Sequence, residues 1–299
     1  MNEITVSICI ITYNHEKYIK KCLDSALNQV LNCNYEIVIG EDNSTDNTLT
    51  ICKYYAEKHP NLIKLYPREE NLGMAKNWLY TINDCVGKYI LLCEGDDYWI
   101  DPYKSHKQYT FLENNKEYSI CWTNFNVKNG IEETKNEWED VINFTHDKKV
   151  TLDNFGLPYC TYTLTTCFRK EILKDLKNQN FKYFKDNTLY VVALNRGGGM
   201  LLNFKSSVYR KHQTSIYSST SEYSQSLQNY LNLVEILLKF KSCRNTHFIN
   251  YYYHTKNRLK SSVIKFSYNN LKLLVLFVRS NLFLFFKDPS FYVKLINHV

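Results

Sequence analysis

The sequence lacks the features that would mark a secreted or zinc-stabilised chain. Its ten cysteines form no Cys-x-x-Cys pair and no cluster with histidine at zinc-site spacing. Several cysteines instead lie in apolar periodic runs, where a free thiol behaves as a small hydrophobic side chain: Cys9, Cys22, Cys52, Cys85 and Cys93. No basic segment precedes the short apolar run at residues 4–11, so we expect no secretory signal peptide. These absences predict reduced, buried thiols and a cytoplasmic chain.

Acidic residues are scarce in the C-terminal part of the chain. Residues 236–299 contain eleven Lys or Arg and a single acid, Asp288, so this segment carries a net charge of +10 and the preceding residues −3. A basic segment suits an anionic membrane surface or a nucleic acid. It contains no recognisable nucleic-acid-binding module, so we expect no nucleic-acid partner.

Residues 271–286 are rich in Leu and Phe but too short, and too often interrupted by charge, to span a bilayer. Lys265, Lys272 and Arg279 recur every seven residues and therefore share one face of a helix. A basic face opposite an apolar one is typical of a helix that lies in a membrane interface. We therefore expect residues 216–299 to form a helical extension that binds the inner face of the cell membrane. The alternatives are a helical lid on the preceding domain and a homodimer contact.

The first hundred residues alternate strand-like and helix-like segments. Apolar, β-branched runs predict strands at residues 4–11, 35–40, 61–66 and 88–93, with amphipathic helices between them. The remaining patterns predict a helix to residue 114, a strand at 118–127, a polar loop at 128–150, an extended segment at 158–169, helices at 170–177 and 187–195, a turn at 197–199, a strand at 200–210 and helix from 221. There is no internal repeat and no linker rich in Pro or Gly. The alternation predicts an α/β fold with a mostly parallel central sheet.

Polar clusters follow three of the predicted strands, at Thr12–Asn14, Glu41–Asp42 and Glu94–Asp97. Ligands of parallel α/β sheets bind beyond the carboxyl ends of the strands, so we expect these clusters to form one site. The last cluster places three carboxylates in four residues, and unpaired carboxylates raise one another's pKa. A cation is the natural occupant, and Mg²⁺ or Mn²⁺ suits such oxygens. The alternative is a solvated acidic turn.

Four sequence blocks carry a resemblance to a known family. They read VSICIITYN at residues 6–14, EIVIGEDNSTD at 36–46, NLG at 71–73 with Asn77, and GKYILLCEGDDYW at 87–99. In this order and spacing the chain resembles the family-2 glycosyltransferases, from residue 4 to about residue 110, with weaker similarity to about His212. The resemblance implies inversion at the anomeric carbon and a single Rossmann-like domain of GT-A type. That domain would span residues 1–215, with a nucleotide-sugar half at 1–100 and an acceptor half at 101–215.

The resemblance also implies roles for the residues at the predicted sheet edge. Asp42 would accept a hydrogen bond from the base, typically uracil, and Asp96 would bind Mn²⁺ or Mg²⁺. Glu94 matches the first acid of the DxD motif but is Glu instead of Asp, so it is a candidate for either metal or ribose. The expected nucleotide-sugar contacts are Thr12, Tyr13, Asn14, Glu16, Asp42, Ser44, Asn71, Glu94, Gly95 and Asp97. Arg68 and Lys76 are candidate diphosphate contacts, with solvated surface charges as the alternative.

An inverting transfer needs a general base near the acceptor hydroxyl, which is worth about 10²–10⁴ in rate. In similar enzymes an acid that opens a late helix has this role, and Asp186 has that position. Here Asn187 replaces the usual aromatic neighbour. A plain helix N-cap is the alternative reading of Asp186, and Asp175 and Asp153 are the other candidates for the base.

Further candidates come from later strands. His212 follows the last predicted strand, where a histidine in similar enzymes reaches the metal or the diphosphate; a structural histidine is the alternative. Trp99, Thr165 and Thr166 are candidate acceptor contacts, although β propensity explains the threonines almost as well.

Together these patterns predict metal-assisted transfer of a sugar from a UDP-sugar to a hydroxyl of a glycan. We expect a lipid-linked acceptor at the inner membrane face, in surface polysaccharide synthesis. One alternative is an inactive subunit that binds sugar nucleotides. The other is a nucleotidyltransferase, which usually has a Gly-rich loop with a basic residue near the N-terminus, absent from residues 12–16.

Overall fold

The computed structural model describes residues 3–137, 139–142, 145–155, 161–212, 222–243 and 253–257. Its ten strands form one mixed sheet. The strands are β1 Val6–Thr12, β2 Tyr35–Glu41, β3 Ile63–Pro67, β4 Tyr89–Glu94, β5 Tyr98–Trp99, β6 Tyr118–Asn129, β7 Glu132–Lys135, β8 Lys148–Val150, β9 Cys167–Arg169 and β10 Gly198–Lys211. Their order is β3-β2-β1-β4-β9-β6-β10-β5, with β7 beside β6 and β8 beside β10.

The first half of the sheet is parallel, as the sequence predicts. Strands β3, β2, β1 and β4 pair in parallel. All seven residues of β1 are buried, which explains why it reads as one continuous apolar run. The register places Thr12 opposite Glu41 and Ile11 opposite Glu94, so the carboxyl ends of β1, β2 and β4 lie level with one another.

The second half of the sheet is mixed. Strand β9 is antiparallel to both β4 and β6, whereas β10 is parallel to β6 and antiparallel to the short strand β5. The fold class predicted from the sequence is confirmed, and the antiparallel pairs are the departure from a wholly parallel sheet.

Three local predictions need correction. The segment 128–150, predicted as a loop, contains β7, a helical turn and β8. The segment predicted as extended at 158–169 contains the 3-10 helix Thr163–Thr165. Two of the glycines predicted to form a turn begin β10 instead. At Gly199 a Cβ would lie 2.6 Å from the Trp122 ring, so glycine is required there for close packing and not for a turn.

The following helices lie among the described residues, between or after the strands in sequence. They are α1 Ile19–Leu27, α2 Thr48–Lys58, α3 Met74–Asp84, α4 Lys104–Asn114, α5 Glu139–Ile142, α6 Ile172–Gln179, α7 Asp186–Arg196 and α8 Glu222–Lys239. Helix α1 illustrates their patterning, since it buries Ile19, Cys22, Leu23 and Ala26, the spacing of one apolar helical face. The described cysteines are all free thiols, and all but Cys33 are buried, which confirms that prediction.

The chain divides into two compact units that are interleaved along the sequence. The first comprises Met1–Val150, Pro158–Leu176 and Val192–His212, and the second Thr151–Leu157, Lys177–Val191 and Gln213–Val299. The division at residue 215 predicted from the sequence stays a prediction. Within the described ranges, no helix is both long and apolar enough to cross a membrane. The amphipathic helix predicted at residues 271–286 lies outside the described residues.

Candidate active site

The loops that follow β1, β2 and β4 are joined by backbone hydrogen bonds at the carboxyl edge of the sheet. The Asp42 amide donates to the Thr12 carbonyl at 3.0 Å, and the Gly95 amide donates to the Ile11 carbonyl at 2.8 Å. The ladder therefore continues one residue beyond the strands. As a result, the three polar clusters of the sequence lie side by side.

Side chains of the first two loops connect these loops to each other. The Asn14 side-chain oxygen accepts from the Thr45 amide at 2.8 Å, and the Asn14 amide donates to the Ser44 hydroxyl at 2.9 Å. The Glu16 carboxylate accepts from the Asn47 amide at 3.1 Å. Asn14 has a φ of 54°, a left-handed conformation that Asn tolerates better than most residues. Asn14, Glu16 and Ser44 thus shape the predicted nucleotide pocket, and their direct contact with a nucleotide stays a prediction.

Asp42 holds the segment 71–73 against the sheet edge. Its two carboxylate oxygens accept from the Leu72 amide at 2.9 Å and the Gly73 amide at 3.0 Å, and the Asn71 side chain donates to its carbonyl. Burial raises the pKa of Asp42, opposed by these two amide hydrogen bonds. Each carboxylate oxygen can accept a second hydrogen bond, so Asp42 is a fixed acceptor for a further donor.

The two predicted diphosphate contacts differ in their surroundings. The Arg68 guanidinium donates to the Asn77 and Thr81 side chains at 3.0 Å each and lies 3.5 Å from Asp84, so it is bound to α3. These contacts use Nε and Nη2 of the guanidinium, and the role of Arg68 as a diphosphate contact stays a prediction. Lys76 and Tyr13 are exposed and half-buried, respectively, and keep their predicted roles.

The acidic segment after β4 is centred on Asp96. Its Oδ2 lies 3.0 Å from His212 Nε2 and 3.6 Å from His15 Nε2. Burial acts to raise the pKa of Asp96, but the hydrogen bond from His212 and the two imidazoles hold this pKa below its usual value. Asp96 is thus kept as a carboxylate, the form that a divalent cation binds.

Asp97 lies deeper than Asp96. Its Oδ1 accepts from the Arg210 amide at 2.8 Å, and its Oδ2 is buried without a hydrogen-bond partner. Burial, together with the nearby carboxylates of Asp96 and Glu94, raises the pKa of Asp97 well above its usual value. Glu94, at the end of β4, is half-buried. The segment therefore concentrates negative charge that a cation would relieve.

His15 also lies against Asp96 but is not among the site residues predicted from the sequence. The His15 ring is buried, with Nδ1 3.2 Å from the Thr12 hydroxyl. Its backbone is also fixed, because its amide donates to Thr48 at 2.8 Å and its carbonyl accepts from the first residue of α1 at 2.8 Å. Burial lowers the pKa of His15 below 6.5. The only sequence signal was its position next to the first resembling block.

Arg210 and His212 surround the same acid from β10. The Arg210 guanidinium donates to the Asp96 carbonyl at 2.9 Å and lies 4.4 Å from the centre of the Tyr98 ring. The His212 ring lies 4.5 Å from that of Tyr18. Arg210 and His212 therefore both lie beside the acidic segment, and the predicted role of His212 at the metal or the diphosphate stays a prediction.

The side chains around Asp96 fit a metal ion whose remaining ligands come from a bound substrate and water. In the part of the chain that the structure describes, no three His, Cys, Asp or Glu side chains are arranged to hold a metal ion by themselves. Asp96 and His212 offer two adjacent donors, and the buried Asp97 Oδ2 has an unused lone pair. Mg²⁺ and Mn²⁺ need only one or two protein carboxylates when phosphate oxygens and water complete the shell. The residues present therefore fit a diphosphate-bound ion better than a closed protein site.

The three predicted acceptor contacts are core residues. The Trp99 side chain is 5% exposed, and its indole N–H donates to the Leu164 carbonyl at 3.0 Å. Thr165 and Thr166 are fully buried, and both hydroxyls donate to the Tyr162 carbonyl. Their polar atoms are thus satisfied inside the protein, and we withdraw the acceptor assignment.

Asp186 is the first residue of α7 and lies in the second unit. Its Oδ1 accepts from the Asn187 amide at 2.8 Å. Burial raises the pKa of Asp186, although the charge of Lys185 opposes the shift. Of the other candidates for the base, Asp175 forms an ion pair with Arg196 at 2.8 Å, and Asp153 is exposed. The role of Asp186 as the base stays a prediction.

We predict that Gly95→Ala destabilises the acidic segment. The added Cβ would lie 2.5 Å from the Thr12 hydroxyl and 2.9 Å from His15 Nδ1, so the Thr12–His15 pair would have to move. Overpacking of this kind costs about 1–3 kcal/mol, measurable by urea unfolding. Gly198→Ala is the matched control, because its Cβ would come no closer than 3.0 Å to the Tyr118 ring and 3.6 Å to the Glu117 carbonyl. An equal or larger loss of unfolding free energy in Gly198→Ala would contradict the close packing of Gly95 against Thr12 and His15.

Comparison with known proteins assigns the fold. The chain matches the structure of residues 1–349 of Staphylococcus aureus TarS in complex with UDP-GlcNAc, with a TM-score of 0.64 and 24% identity over 86% of this chain and 73% of that 1–349 chain. It also matches the mannosyltransferase PcManGT of Pyrobaculum calidifontis, in complex with GDP-Man and Mn²⁺, with a TM-score of 0.56 and 14% identity over 99% of this chain and 86% of that one. These likenesses show a GT-A fold.

Sequence comparison assigns the family. The protein EpsE of Bacillus subtilis (strain 168) is 33% identical over 118 residues, which are 40% of this chain and 42% of EpsE. The chain spans less than two thirds of the length of the curated relatives it matches. The model of the family described as glycosyl transferase family 2 matches residues 7–196, more than half of the chain. The chain therefore belongs to glycosyl transferase family 2.

Proposed function

We propose that this protein transfers a sugar from a UDP-sugar to a hydroxyl group of a glycan, with inversion and with the help of Mn²⁺ or Mg²⁺. The observation that carries the proposal is the Asp96–His212 pair, 3.0 Å apart, at the same sheet edge as Asp42 and the buried Asp97. This edge combines a hydrogen-bond acceptor for a nucleobase with carboxylates for a metal ion. A nucleoside diphosphate sugar bound with a metal needs both. TarS, which shares the fold, is described in complex with UDP-GlcNAc, and this supports UDP as the nucleotide.

The first unit would bind the donor. Asp42 has fixed oxygens for the uracil N–H, and Thr12, Tyr13 and Asn71 would complete the nucleotide pocket with Lys76 towards the phosphates. Asp96 and His212 would hold the metal, with Glu94 near the metal or the ribose and Gly95 and Asp97 along the donor sugar. His15, fixed by Thr12, would keep the Asp96 carboxylate in position. When bound, the metal would neutralise charge on the diphosphate leaving group.

The chemical step is a single displacement. The Asp186 carboxylate removes the proton of the acceptor hydroxyl while that oxygen forms a bond to the anomeric carbon. The bond between this carbon and the UDP oxygen breaks at the same time, and UDP leaves with the bonding electrons. Arg210, beside the acidic segment, would place positive charge where negative charge develops, while His212 would act through the metal.

The acceptor in this proposal is a lipid-linked glycan at the inner face of the cell membrane. The support is the +10 charge of residues 236–299 and the amphipathic pattern of residues 271–286. A lid or a homodimer contact would explain the same pattern without membrane binding.

The proposal predicts metal-dependent UDP release. A panel of UDP-sugars with a matched acceptor extract should give UDP with Mn²⁺ or Mg²⁺ and little with EDTA, and Asp96→Asn should lose that dependence. An inactive subunit would bind UDP but release none from any donor. UDP formation that is absent throughout, or equal with metal and EDTA, would contradict the proposal.

We also predict that Asp186→Asn lowers kcat by about 10²–10⁴-fold, because the amide cannot accept the proton, while UDP affinity stays unchanged. The base acts only when ionised, so wild-type activity should fall as the pH falls through the Asp186 pKa. Since burial raises this pKa, the loss should occur above the ordinary range of Asp, about 3.9.

Asp175→Asn is the matched control for this prediction, since Asp175 was another candidate for the base and forms an exposed ion pair. It should keep activity close to the wild type. A kcat for Asp186→Asn within threefold of the wild type, or a large loss in Asp175→Asn alone, would show that the base is misassigned.

A further inference from the structure

Helix α8 presents a row of polar side chains that the family relationship does not explain. The family match ends at residue 196, whereas α8 spans Glu222–Lys239. Asn229, Asn232, Glu235 and Lys239 are spaced three or four residues apart, so they share one face of the helix. Each of them contacts the segment 179–188, which leads into α7 and carries Asp186.

Asn232 connects α8 to the start of α7. Its side chain is 2% exposed, and its Nδ2 donates to the Tyr183 carbonyl and to the Thr188 hydroxyl, both at 2.6 Å. The same hydroxyl accepts from the Lys185 amide at 3.1 Å, as the third helical residue does in a capping box. Asn232 therefore fixes the first turn of α7 on both sides of Asp186.

Glu235 holds the backbone just before that turn. Its carboxylate accepts from the Lys182 amide at 2.9 Å and from the Tyr183 amide at 2.8 Å. These residues lie between α6 and α7, where no helical hydrogen bond is available to their N–H groups. A carboxylate is the strongest side-chain acceptor for two adjacent amides.

The far end of the segment is held as well. The Lys239 ammonium donates to the Gln179 and Asn180 carbonyls, and the Phe240 ring stacks on Phe181 with centres 6.1 Å apart. Asn180 has a φ of 45°, so the chain reverses there in a left-handed conformation. The contacts with α8 therefore run from residue 179 to residue 188.

We propose that α8 is a clamp that positions the general base, with Asn232 and Glu235 as positioning residues for Asp186. The inference rests on the proposed function, because it assigns α8 a purpose only if Asp186 takes the acceptor proton. The contacts act on the backbone around Asp186 and leave the base free to react. Proton transfer depends steeply on geometry, and a displacement of about 1 Å can cost on the order of 10²-fold in rate.

The test compares Asn232→Ala and Glu235→Ala with the wild-type full chain. Both variants should lower kcat about 10- to 100-fold, with unchanged KM for the donor that the panel identifies and unchanged affinity for UDP. Amide hydrogen exchange should rise at residues 181–185 and stay constant at residues 89–97. Glu235→Gln should recover part of kcat, because its one remaining oxygen still accepts from a backbone amide. Gln228→Ala, an exposed position of α8, is the matched control and should change nothing.

The outcomes separate the clamp from the proposed function. Unchanged exchange at residues 181–185 in Glu235→Ala would overturn the clamp. Faster exchange with wild-type kcat would overturn the positioning role of α8. A loss of UDP affinity together with the loss of kcat would also overturn it, because that result indicates a general structural defect. A wild-type chain that releases no UDP would overturn the proposed function, while the exchange data would still show whether the clamp exists.

Discussion

The concentration of negative charge at the end of β4 is the constraint on which the candidate site depends. The parallel register of β1, β2 and β4 brings their carboxyl ends level, and the last of them continues into the half-buried Asp96 and the buried Asp97. Buried carboxylates need partners. Two histidines lie against Asp96, while Asp97 has one backbone amide and one oxygen without a hydrogen bond. The negative charge of these carboxylates is therefore only partly balanced by protein groups, and a metal ion bound to a diphosphate would balance the rest.

Sequence patterns predict the first half of the fold well because the information there is local. A strand buried on both faces reads as a continuous apolar run, and the polar residues that follow it mark its carboxyl end. The antiparallel insertion of β9 between β4 and β6 depends on contacts between residues far apart in sequence, and no periodicity reports it. For the same reason the sequence offers Thr165 and Thr166 as acceptor contacts in an extended segment, whereas both are buried in and beside a 3-10 turn.

The site itself was only partly predictable. Family-like blocks identify which residues reach the sheet edge, but not what each side chain contacts there. For example, no sequence pattern reports that the Arg68 guanidinium donates hydrogen bonds to Asn77 and Thr81 of α3. His15 was overlooked, although it lies against Asp96, because a single buried histidine has no distinctive sequence pattern. Likewise, the polar face of α8 is recognisable only once the residues it contacts, some 50 positions earlier, are known.

The residues proposed to bind the nucleotide and the metal lie in the first unit. The proposed base Asp186 and helix α8 lie in the second. The central claim is that Asp96 binds a metal together with the UDP diphosphate. Calorimetric titration of UDP with Mn²⁺ and with EDTA tests it most directly. If Asp96 holds the metal, UDP should bind at least about tenfold more tightly with Mn²⁺ than with EDTA in the wild type, and equally under both conditions in Asp96→Asn. Equal UDP affinity with Mn²⁺ and EDTA in the wild type would contradict it.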